Sequence, residues 1–400
     1  MTTVDVTIYG AGVFGLSVGW ACLQRGAKVR VIDPAGVASG SSGGLVGALA
    51  PHVPELWNDK KEFQFHSLVM AEAFWRGVEA VAGVSTGYAR SGRLQPLADE
   101  AALDFAKTRA INAVDLWRGK AEWHIVEAAD HAPWAPISPS GFLVWDTLSA
   151  SIHPRRATVA LARAINAVEL WRGKAEWHIV EAADHAPWAP ISPTGFLVWD
   201  TLSAIIHPRS ATVALARAIE KSGGEIVAEG REEGKVLHAT GWRGLMELSE
   251  RLGKVVGNGV KGQAALLALD MRGKPQLFSD GIHLVPHQDG TLGVGSTSER
   301  FFDDPTEIDQ QLDDLLLRAE AAFPFLEGVR VLERWAGVRP RAMTRSPMLG
   351  AHPLHEGQFI ANGGFKIGFG MAPKVGKVMA DLLLEGRDAI PEGFRPEASL

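Results

Sequence analysis

The sequence predicts an α/β fold built from two domains, one of which is assembled from separate stretches of the chain. Three observations lead to this prediction. Residues 4–33 read as strand, glycine-rich turn, helix and strand, which is how a parallel sheet covered by helices begins. The same alternation resumes at residues 211–241 after a long excursion, whereas residues 276–297 read as an antiparallel hairpin.

The composition excludes several classes of protein. With 46% apolar and 22% charged residues, the chain has the balance of a globular protein rather than a disordered one. A net charge of −6 gives no broad basic surface for nucleic acid. The single cysteine excludes a disulfide framework and a cysteine-based metal site, and no metal is expected. No 18-residue apolar run or signal pattern occurs, so we expect no membrane span and a cytoplasmic location.

A segment of 54 residues occurs twice in succession, at 110–163 and at 164–217. The copies differ at only four positions, which are Asp115/Glu169, Ser140/Thr194, Ser151/Ile205 and Arg156/Ser210. Because solenoids usually contain more numerous and more divergent repeats, we interpret the pair as a tandem duplication within an existing gene. Removing one copy from the 400-residue chain leaves 346 residues, on which the function is interpreted. The sequence does not indicate which copy takes the ordinary place in the fold.

A glycine motif before the first predicted helix indicates dinucleotide binding. The motif consists of Gly10, Gly12 and Gly15, with Val13 and Phe14 between the last two. The first glycine permits a tight turn, the second lets backbone approach a pyrophosphate, and the third allows close packing of helix on strand. The helix N-terminus offers N–H groups and a positive dipole to the phosphates. Asp33, at the end of the second strand, can accept hydrogen bonds from ribose hydroxyls.

A second loop of small residues follows at 39–44. Its residues Ser41, Ser42 and Gly44, together with Leu45, are candidates to wrap around an extended dinucleotide, and a plain flexible loop is the alternative. The overlapping pattern Gly-X-Ser-X-Gly at 15–19 is typical of hydrolases, in which the serine lies on a turn directly after a strand. Ser17 is expected further on, inside the helix, so we reject a hydrolase function.

The remaining elements follow from apolar periodicity and from glycine and proline residues between them. Helices are predicted at 60–82, 98–118, 157–171, 211–221 and 306–322. Strands are predicted at 93–97, 141–146, 195–200, 225–228, 235–241 and 329–334. A final strand from Phe359 enters a glycine-dense loop, after which a helix is predicted to open with Pro373 and to close at Gly386.

Seven motifs together resemble the FAD-dependent D-amino acid oxidase superfamily, and most closely its glycine oxidase and sarcosine oxidase branch. They are GAGVFGLSVGWACLQRGAKVRVID at 10–33, SGSSGGLVGALAPH at 39–52, GRLQPL at 92–97, HATGWRG at 238–244, VKGQ at 260–263, GVRPRAMTRSPMLG at 337–350 and GGFKIGFGMAP at 363–373. Their order and spacing span nearly the whole chain once the duplicate is removed.

The resemblance implies two domains and a redox function. An FAD-binding, Rossmann-like domain would consist of residues 1–52, 205–245 and 335–400. A substrate domain with a mainly antiparallel sheet would consist of residues 53–204 and 246–334. The family oxidises primary or secondary amines next to a carboxylate, so the resemblance implies a small amino acid or amine as substrate.

Site residues also follow from the resemblance. Arg339 lies where the family places the arginine that binds the substrate carboxylate, with a structural ion pair as the alternative. Lys366 matches a lysine that assists, and a solvated loop lysine is the alternative. His52 follows the flavin-edge loop and is a catalytic candidate, although a surface histidine is the alternative, and His283 on the hairpin is a candidate pocket residue. The family's flavin-binding segments correspond to Gly241, Trp242, Gly337, Gly364, Phe365, Lys366, Ile367 and Gly368. The helix that follows would direct its N-terminal dipole at the flavin ring.

The sequence departs from the family pattern at three places. Cys22, the only cysteine, lies in the first helix, so FAD is expected to bind noncovalently. Gly293 stands where sarcosine oxidases carry an oxygen-activating lysine, which leaves dioxygen or another acceptor as the oxidant. Residues 225–241 are short for the family.

The expected reaction is hydride transfer from the substrate α-carbon to flavin N5, followed by hydrolysis of the imine to an oxo-acid. An NAD-dependent dehydrogenase is the first alternative, because the N-terminal motif alone allows it. A catalytically impaired flavoprotein is the second, because the duplicated segment could block the pocket or destabilise the substrate domain.

Overall fold

The computed structural model describes residues 3–96, 108–109, 111–118, 120, 123–127, 142–146, 204–279 and 281–400. The predicted helix at 157–171 and the predicted strand at 195–200 lie outside the described residues, as does part of the predicted helix at 98–118. Residues 108–109 and 111–116 of that helix are described and are helical.

A six-stranded sheet contains the predicted β–α–β units. Its strands are β1 (Val6–Tyr9), β2 (Val29–Ile32), β8 (Glu225–Val227), β9 (Lys235–His238), β15 (Met348–Ala351) and β16 (Phe359–Asn362). They lie in the order β15–β16–β9–β1–β2–β8, and all neighbours are parallel except β15 and β16. The strands of the first 32 residues therefore lie directly beside strands that follow the excursion, as the sequence predicts.

Helices pack against this sheet and against the second sheet described below. They are α1 (Val13–Leu23), α2 (Asp59–Ala82), α3 (Pro208–Lys221), α4 (Gly241–Leu252), α5 (Gln310–Ala322) and α6 (Gly368–Glu385). Helix α1 packs against both α3 and α6, and α2 packs against the same two helices. Helix α2 begins at Asn58, whose side chain accepts a hydrogen bond from the backbone N–H of Lys61, and ends at Gly83 with a positive φ of 68°.

A second sheet has eight strands and is mainly antiparallel. Its strands are β4 (Arg93–Pro96), β5 (Trp123–Glu127), β6 (Phe142–Asp146), β10 (Gly257–Leu267), β11 (Gln276–Ser279), β12 (Ile282–Pro286), β13 (Leu292–Gly295) and β14 (Val331–Ala342). They lie in the order β14–β10–β13–β12–β11–β4–β6–β5, and only β11 and β4 are parallel. The pair β12–β13 is the predicted hairpin. The two sheets together confirm the predicted fold class.

The two repeat copies contribute different parts to this fold. Strands β5 and β6 come from the first copy, whereas β7 (Ala204–Ile205) and α3 come from the second. Strand β7 pairs with β3 (Ala48–Leu49). Within the described residues, no position of the 54-residue unit is represented by both copies.

A continuous apolar cluster extends through helices and both sheets. Ile8 of β1, Trp75 of α2 and Leu284 of β12 belong to this cluster, and none of the three has exposed surface. Burial of such side chains is the main stabilising contribution to the fold, at about 1.5–3 kcal/mol for each large apolar side chain.

Strand β14 runs across residue 335, where the expected domain boundary fell. Its residues 335–342 pair with β10 in the eight-stranded sheet. Because a paired strand cannot be divided between two sheets, we assign the whole strand to the second domain and retain the remaining division as a proposal.

The final helix begins earlier than predicted. Helix α6 starts at Gly368, after a short 3-10 turn at Phe365–Ile367, and Pro373 lies inside it. The proline removes only one backbone N–H near the helix start, which leaves the Phe369 carbonyl without its usual donor. Gly386, with φ of 66°, ends the helix as predicted. None of the helices described is at once long and apolar enough to cross a bilayer.

Candidate active site

The turn between β1 and α1 requires glycine at two positions. Gly10 has φ of 109°, and a Cβ atom there would lie 2.3 Å from the carbonyl oxygen of Ala239. A Cβ atom on Gly15 would lie 2.0 Å from the carbonyl oxygen of Gly10. The first glycine therefore allows the turn and the second allows α1 to approach the strand, which are the roles assigned to them from the sequence.

The N-terminus of α1 lies against the second glycine-rich loop. The backbone N–H of Val13 donates to Oγ of Ser42 at 3.0 Å, and a Cβ atom on Gly12 would lie 3.2 Å from the same oxygen. Residues Ser41–Gly43 form a 3-10 turn, and Ser42 is buried. This packing favours an ordered loop beside the dinucleotide motif over the alternative of a plain flexible loop.

Asp33 orders the backbone around the same turn. Its Oδ2 accepts from the N–H of Ala11 at 2.8 Å, and its Oδ1 accepts from the N–H of Ala35 at 3.0 Å. Each carboxylate oxygen has a second lone pair, so these bonds leave acceptor capacity for a ribose hydroxyl.

One face of the eight-stranded sheet is lined with small residues. Gly262 pairs with Gly337, and Ala264 pairs with Gly295. Gly293 lies two residues before Gly295 and therefore on the same face. Because these residues are small, other groups pack directly on this face, namely the Leu45 carbonyl oxygen over Gly293, the Val46 side chain over Gly295 and the Arg339 guanidinium over Gly262.

The segment 44–46 covers one end of this face. A Cβ atom on Gly293 would lie 2.4 Å from the carbonyl oxygen of Leu45, and one on Gly44 would lie 3.2 Å from the ring of Trp335. The same ring restricts Gly337, where a Cβ atom would lie 2.4 Å away. The loop that borders α1 thus continues onto the strip of small residues.

Arg339 projects from β14 onto this face. One Nη atom donates to Oγ of Ser296 at 2.7 Å and the other to the carbonyl oxygen of Thr297 at 3.3 Å. Burial lowers the pKa of the guanidinium to about 10, and the charge of Glu299 opposes this shift. Arg339 therefore stays charged at neutral pH, and among the described residues no carboxylate forms an ion pair with it.

Gly262 makes room for the Arg339 side chain. A Cβ atom on Gly262 would lie 2.0–2.3 Å from the guanidinium atoms. The guanidinium thus crosses the backbone of β10, where any larger residue would displace it.

A buried polar network lies beside Arg339. Lys261, with 2% of its side chain exposed, is 3.3 Å from Glu299 and 3.6 Å from Asp309. Gln263 donates to Asp309 at 2.7 Å and to Glu299 at 3.2 Å. The Thr297 hydroxyl donates to Glu299. This network fixes the backbone of Thr297, whose carbonyl oxygen accepts from Arg339.

His283 on β12 is surrounded by cations. Burial, together with the charges of Arg93, Lys366 and Arg339, lowers its pKa to about 3. The imidazole is therefore neutral at pH 7, and within the described part of the chain its buried Nδ1 atom has no hydrogen-bond partner. The structure thus brings His283 together with Arg339 and Lys366, as the sequence suggested.

Arg93 was not among the predicted site residues. It is buried on β4, its guanidinium lies 5.6 Å from the ring centre of Phe278, and that ring is 4.4 Å from the imidazole of His283. Its place depends on the parallel pairing of β4 with β11, which no local sequence pattern indicates.

Lys366 lies in the 3-10 turn before α6. Desolvation within the cleft and the charge of Arg339 both lower its pKa. Its ammonium group lies 5.9 Å from the ring centre of Phe365, a residue with φ of 44°. A Cβ atom on the neighbouring Gly364 would lie 2.9 Å from the ring of Phe14, which lies within the dinucleotide motif. The segment 364–368, which includes Ile367 and Gly368, therefore lies next to the start of α1.

The segment Gly241–Trp242 begins α4. The amide of Asn362 donates to the carbonyl oxygen of Gly241 at 2.9 Å, so this turn also lies beside β16 and the loop that precedes α6. Trp242 packs on Gly259, where a Cβ atom would lie 3.2 Å from its indole ring.

His52 is half-buried rather than a surface residue. Burial and the charges of Lys60 and Lys61 lower its pKa to about 4. Its backbone N–H donates to Gln64 at 2.9 Å. The hydrogen bonds and ion pairs of the described residues do not connect His52 with Arg339, so its catalytic role stays a prediction.

The structure shows the surroundings of Gly293 and Cys22, the two single residues at which the sequence departs from the family pattern. Gly293 faces the Leu45 carbonyl oxygen and His287, whose Nε2 donates to that oxygen at 2.7 Å. Cys22 is buried, and burial raises the pKa of its thiol to about 12. Among the described residues, no cluster of three or more histidine, cysteine or acidic side chains could hold a metal ion.

The residues present fit a flavin dinucleotide. The crowded glycines of the β1–α1 turn supply a close backbone approach for phosphates, and the loop that borders this turn continues through Leu45 onto the small-residue face. The guanidinium of Arg339, which has no carboxylate partner among the described residues, and the orphaned Nδ1 atom of His283 lie on that same face. A dinucleotide with a planar redox ring and an anionic substrate would complete these contacts.

Comparisons with known proteins agree with this geometry. The chain matches the model of the family described as FAD dependent oxidoreductase over residues 5–175 and 166–382. The two matched stretches meet inside the repeat. A glycine oxidase of Bacillus licheniformis is 23% identical over 95% of this chain and 93% of its own length. A glycine oxidase of Pseudomonas putida is 33% identical, but the match spans 41% of this chain and about half (46%) of that protein.

Solved structures show the same fold. The crystal structure of glycine oxidase from Geobacillus kaustophilus matches with a TM-score of 0.72 at 19% identity, over 98% of each chain. That of iminodiacetate oxidase from Chelativorans sp. BNC1 matches with a TM-score of 0.72 at 18% identity, over 98% of this chain and 99% of the other. The chain therefore belongs to the FAD dependent oxidoreductase family, in its glycine oxidase-like branch.

Proposed function

We propose that the protein oxidises the carbon–nitrogen bond of a small amino acid or amine of the glycine, sarcosine or D-amino acid type. The observation that carries the proposal is Arg339, a buried cation on the small-residue face that has no carboxylate partner among the described residues. A buried charge without a partner is unfavourable unless a ligand supplies the opposite charge. The carboxylate of an amino acid is such a ligand.

The protein's own residues would bind and orient the substrate. The planar guanidinium of Arg339 can hold a carboxylate with two parallel hydrogen bonds, and Lys366 adds a second positive charge. This clamp fixes the α-C–H bond relative to the small-residue face. FAD, bound noncovalently, would supply the acceptor for the hydride.

The positive surroundings also favour the reactive form of the amine. Burial and the charges of Arg93, Lys366 and Arg339 both disfavour a further positive charge here, and both lower the pKa of His283. A substrate ammonium in the same place would lose its proton more readily, and the neutral imidazole can accept a hydrogen bond from the amine. Loss of hydride then gives an imine, which water hydrolyses to an oxo-acid and an amine or ammonia.

The relatives support this chemistry, since two of them are glycine oxidases and a structural neighbour is an iminodiacetate oxidase. Membership of an FAD-dependent family disfavours the alternative of an NAD-dependent dehydrogenase. The final electron acceptor is proposed to be dioxygen or another oxidant, and the single cysteine suits a reducing compartment such as the cytoplasm.

An anaerobic titration tests the proposal. The holoprotein is mixed with glycine, sarcosine, iminodiacetate and a panel of D-amino acids, and the flavin absorbance is followed. We expect at least one of these amines to bleach the flavin band. A flavin that is bound but is bleached by no amine of the panel would contradict the proposed reaction, whereas a purified protein that binds no flavin would contradict the proposed cofactor site.

The carboxylate clamp has its own test. Replacing Arg339 with Met should raise KM for the best amino acid about 10- to 150-fold, because a charge-assisted hydrogen bond contributes about 1.5–3 kcal/mol. The matched control is an amine of similar size without a carboxylate, for which variant and parent should have equal KM. Equal losses for both substrates would point to a damaged fold rather than a lost clamp.

A further inference from the structure

The loop beside α1 is held by a brace from the second repeat copy, which we define as residues 204–212. The backbone N–H of Ile206 donates to the carbonyl oxygen of Gly47 at 2.9 Å. A Cβ atom on Gly47 would lie 1.9 Å from the Ile206 carbonyl oxygen. The two backbones thus approach as closely as glycine allows, and β3 and β7 pair directly beyond this contact.

Two side chains of the brace bind carbonyl oxygens of the loop. Nε of Arg209 donates to Gly43 O at 3.3 Å, while its two Nη atoms bind Glu333 at 2.8 and 3.2 Å. The hydroxyl of Thr212, a fully buried residue, lies 2.8 Å from Pro208 O and 3.1 Å from Ser42 O, so its one proton is shared between the helix and the loop. The brace therefore fixes the part of the loop whose Ser42 side chain meets the N-terminus of α1.

The first repeat copy carries the same donors. Arg155 and Thr158 are its counterparts of Arg209 and Thr212, and they lie outside the described residues. Only one copy can fill the place between the loop and α1, and the structure puts the second copy there. Two of the four differences between the copies fall within this short stretch, namely Ser151/Ile205 and Arg156/Ser210.

Both differences favour the second copy over the first at the place between the loop and α1. Ile205 has no exposed surface and pairs with Ala48, so a serine there would lose apolar burial and bury a hydroxyl. Ser210 is the third residue of α3, and its N–H donates to the ring of His207, which caps the helix. An arginine there would add a cation at the positive end of the helix dipole.

We infer that the second copy positions the edge of the cofactor site through Arg209 and Thr212, and that Ile205 selects this copy for the place. Arg209 and Thr212 are positioning residues, because they act on the cofactor through the backbone of the loop at 42–45. The inference rests on the proposed binding of FAD at the N-terminus of α1 and the loop beside it. It also assigns unequal roles to two segments that are nearly identical in sequence.

The near-identity of the copies supplies matched controls within the full-length chain. Thr212→Val and Thr158→Val remove the same hydroxyl from the two copies, and the dissociation constant of FAD is measured for each. We expect a rise of about two- to threefold for Thr212→Val, the lower end of what one hydrogen bond gives, because the hydroxyl proton is shared with Pro208 O, together with a shifted flavin absorption band. Thr158→Val should match the parent in both readouts. Equal effects of the two substitutions, no effect of either, or an effect of Thr158→Val alone would overturn the inference.

A second pair of variants tests copy selection without the cofactor. Ile205→Ser should lower the melting temperature of the apoprotein by several degrees, and adding Ser151→Ile to that variant should recover most of the loss by offering the first copy for the same place. Ser151→Ile alone should leave the melting temperature unchanged. If Ser151→Ile recovers nothing in the Ile205→Ser background, or if Ile205→Ser has no effect, copy selection by this residue is wrong. A parent protein that binds no FAD at all would instead refute the proposed cofactor site and leave this comparison of melting temperatures valid.

Discussion

At the scale of the residue, Gly262 and Arg339 depend on each other. The guanidinium of Arg339 lies over the backbone of β10 at Gly262, which has no side chain to displace it. Because the atoms in the way are the far end of a flexible side chain, a larger residue at 262 would move the guanidinium rather than break the sheet. A substitution at 262 can therefore change the position of the Arg339 guanidinium without changing the stability of the fold.

Gly262→Ala should raise KM for the amino acid substrate about 10- to 100-fold, since a displacement of about 1 Å in a positioning group can cost that much. Its free energy of unfolding should stay within about 1 kcal/mol of the parent. Steady-state kinetics and urea denaturation measure the two quantities. Gly77→Ala is the matched control, because a Cβ atom on that helical glycine meets nothing within 4 Å. A variant that loses stability but keeps its KM would contradict the proposed contact.

The sequence predicted the positions of some residues of the site but not those of others. Gly10, Gly15 and Asp33 belong to a local motif whose spacing fixes their geometry, so their positions were predictable. The proximity of Arg93 to His283 arises from pairing between strands that are far apart in sequence, and a single sequence carries no signal for it. The half-burial of His52 likewise depends on α2, which packs beside it through Gln64.

At the scale of the element, β10 supports the site through its buried lysine. Lys261 neutralises Glu299, and the hydroxyl of Thr297 also binds that carboxylate. The carbonyl group of Thr297 in turn binds Arg339. The ion pair between β10 and the segment after β13 thus supports the carbonyl group that accepts from Arg339.

Lys261→Met should destabilise the protein by about 3–5 kcal/mol, because it leaves the carboxylate of Glu299 buried without a cation. Adding Glu299→Gln to this variant should recover at least half of the loss, since the buried negative charge is then removed as well. Urea denaturation of the two single variants and the double variant measures the coupling between them. Strictly additive losses would show that the two side chains do not interact.

Element boundaries were predicted well where a strong local signal exists. Helix α1 and helix α2 end near glycines with positive φ, at Gly26 and Gly83, and both ends are visible in the sequence. Pro373 was a misleading signal, because a 3-10 turn starts α6 before the proline is reached. Strands β5 and β10 were not predicted, and the glycines of β10 interrupt the alternation by which a strand is recognised.

At the scale of the whole molecule, several buried histidines make stability depend on pH. Burial lowers the pKa of His52, His287 and His352 to about 4 and that of His283 to about 3. The unfolded chain, with an ordinary histidine pKa of about 6.5, binds these protons more tightly than the folded chain between pH 6.5 and 4. The stability that the folded chain gains from these neutral histidines is therefore fully present above pH 6.5 and is lost as the pH falls towards 4.

We expect the free energy of unfolding to fall steeply between pH 7 and 5. Its slope against pH should correspond to the uptake of up to four protons on unfolding. His287→Gln keeps a donor for the Leu45 carbonyl oxygen but removes one titrating group, so its slope should be smaller by about one proton. Denaturant midpoints measured at intervals of half a pH unit give both slopes. Parallel curves for the parent and the variant would show that His287 is not buried in its neutral form.

The repeat has a consequence for the whole chain. Deleting residues 150–203 removes no described residue and joins Ser149 to Ala204, which restores one uninterrupted unit across the junction. The resulting 346-residue chain should keep the fold and bind FAD with unchanged affinity, as circular dichroism and flavin fluorescence would show. Substantially tighter binding or faster turnover in the shortened chain would support the alternative that the duplication impairs the enzyme. An unfolded product would show that the fold needs the deleted stretch.

The unpaired charge of Arg339 makes melting temperature a measure of site occupancy. A ligand that neutralises the guanidinium binds only the folded chain, so it stabilises that chain by RT ln(1 + [L]/Kd), or about 2.7 kcal/mol at a hundred times its Kd. Small carboxylic acids could therefore be ranked by thermal shift alone, with no turnover and no electron acceptor. Such a ranking would identify the acid for which the pocket is shaped even if the chain had lost its catalytic power.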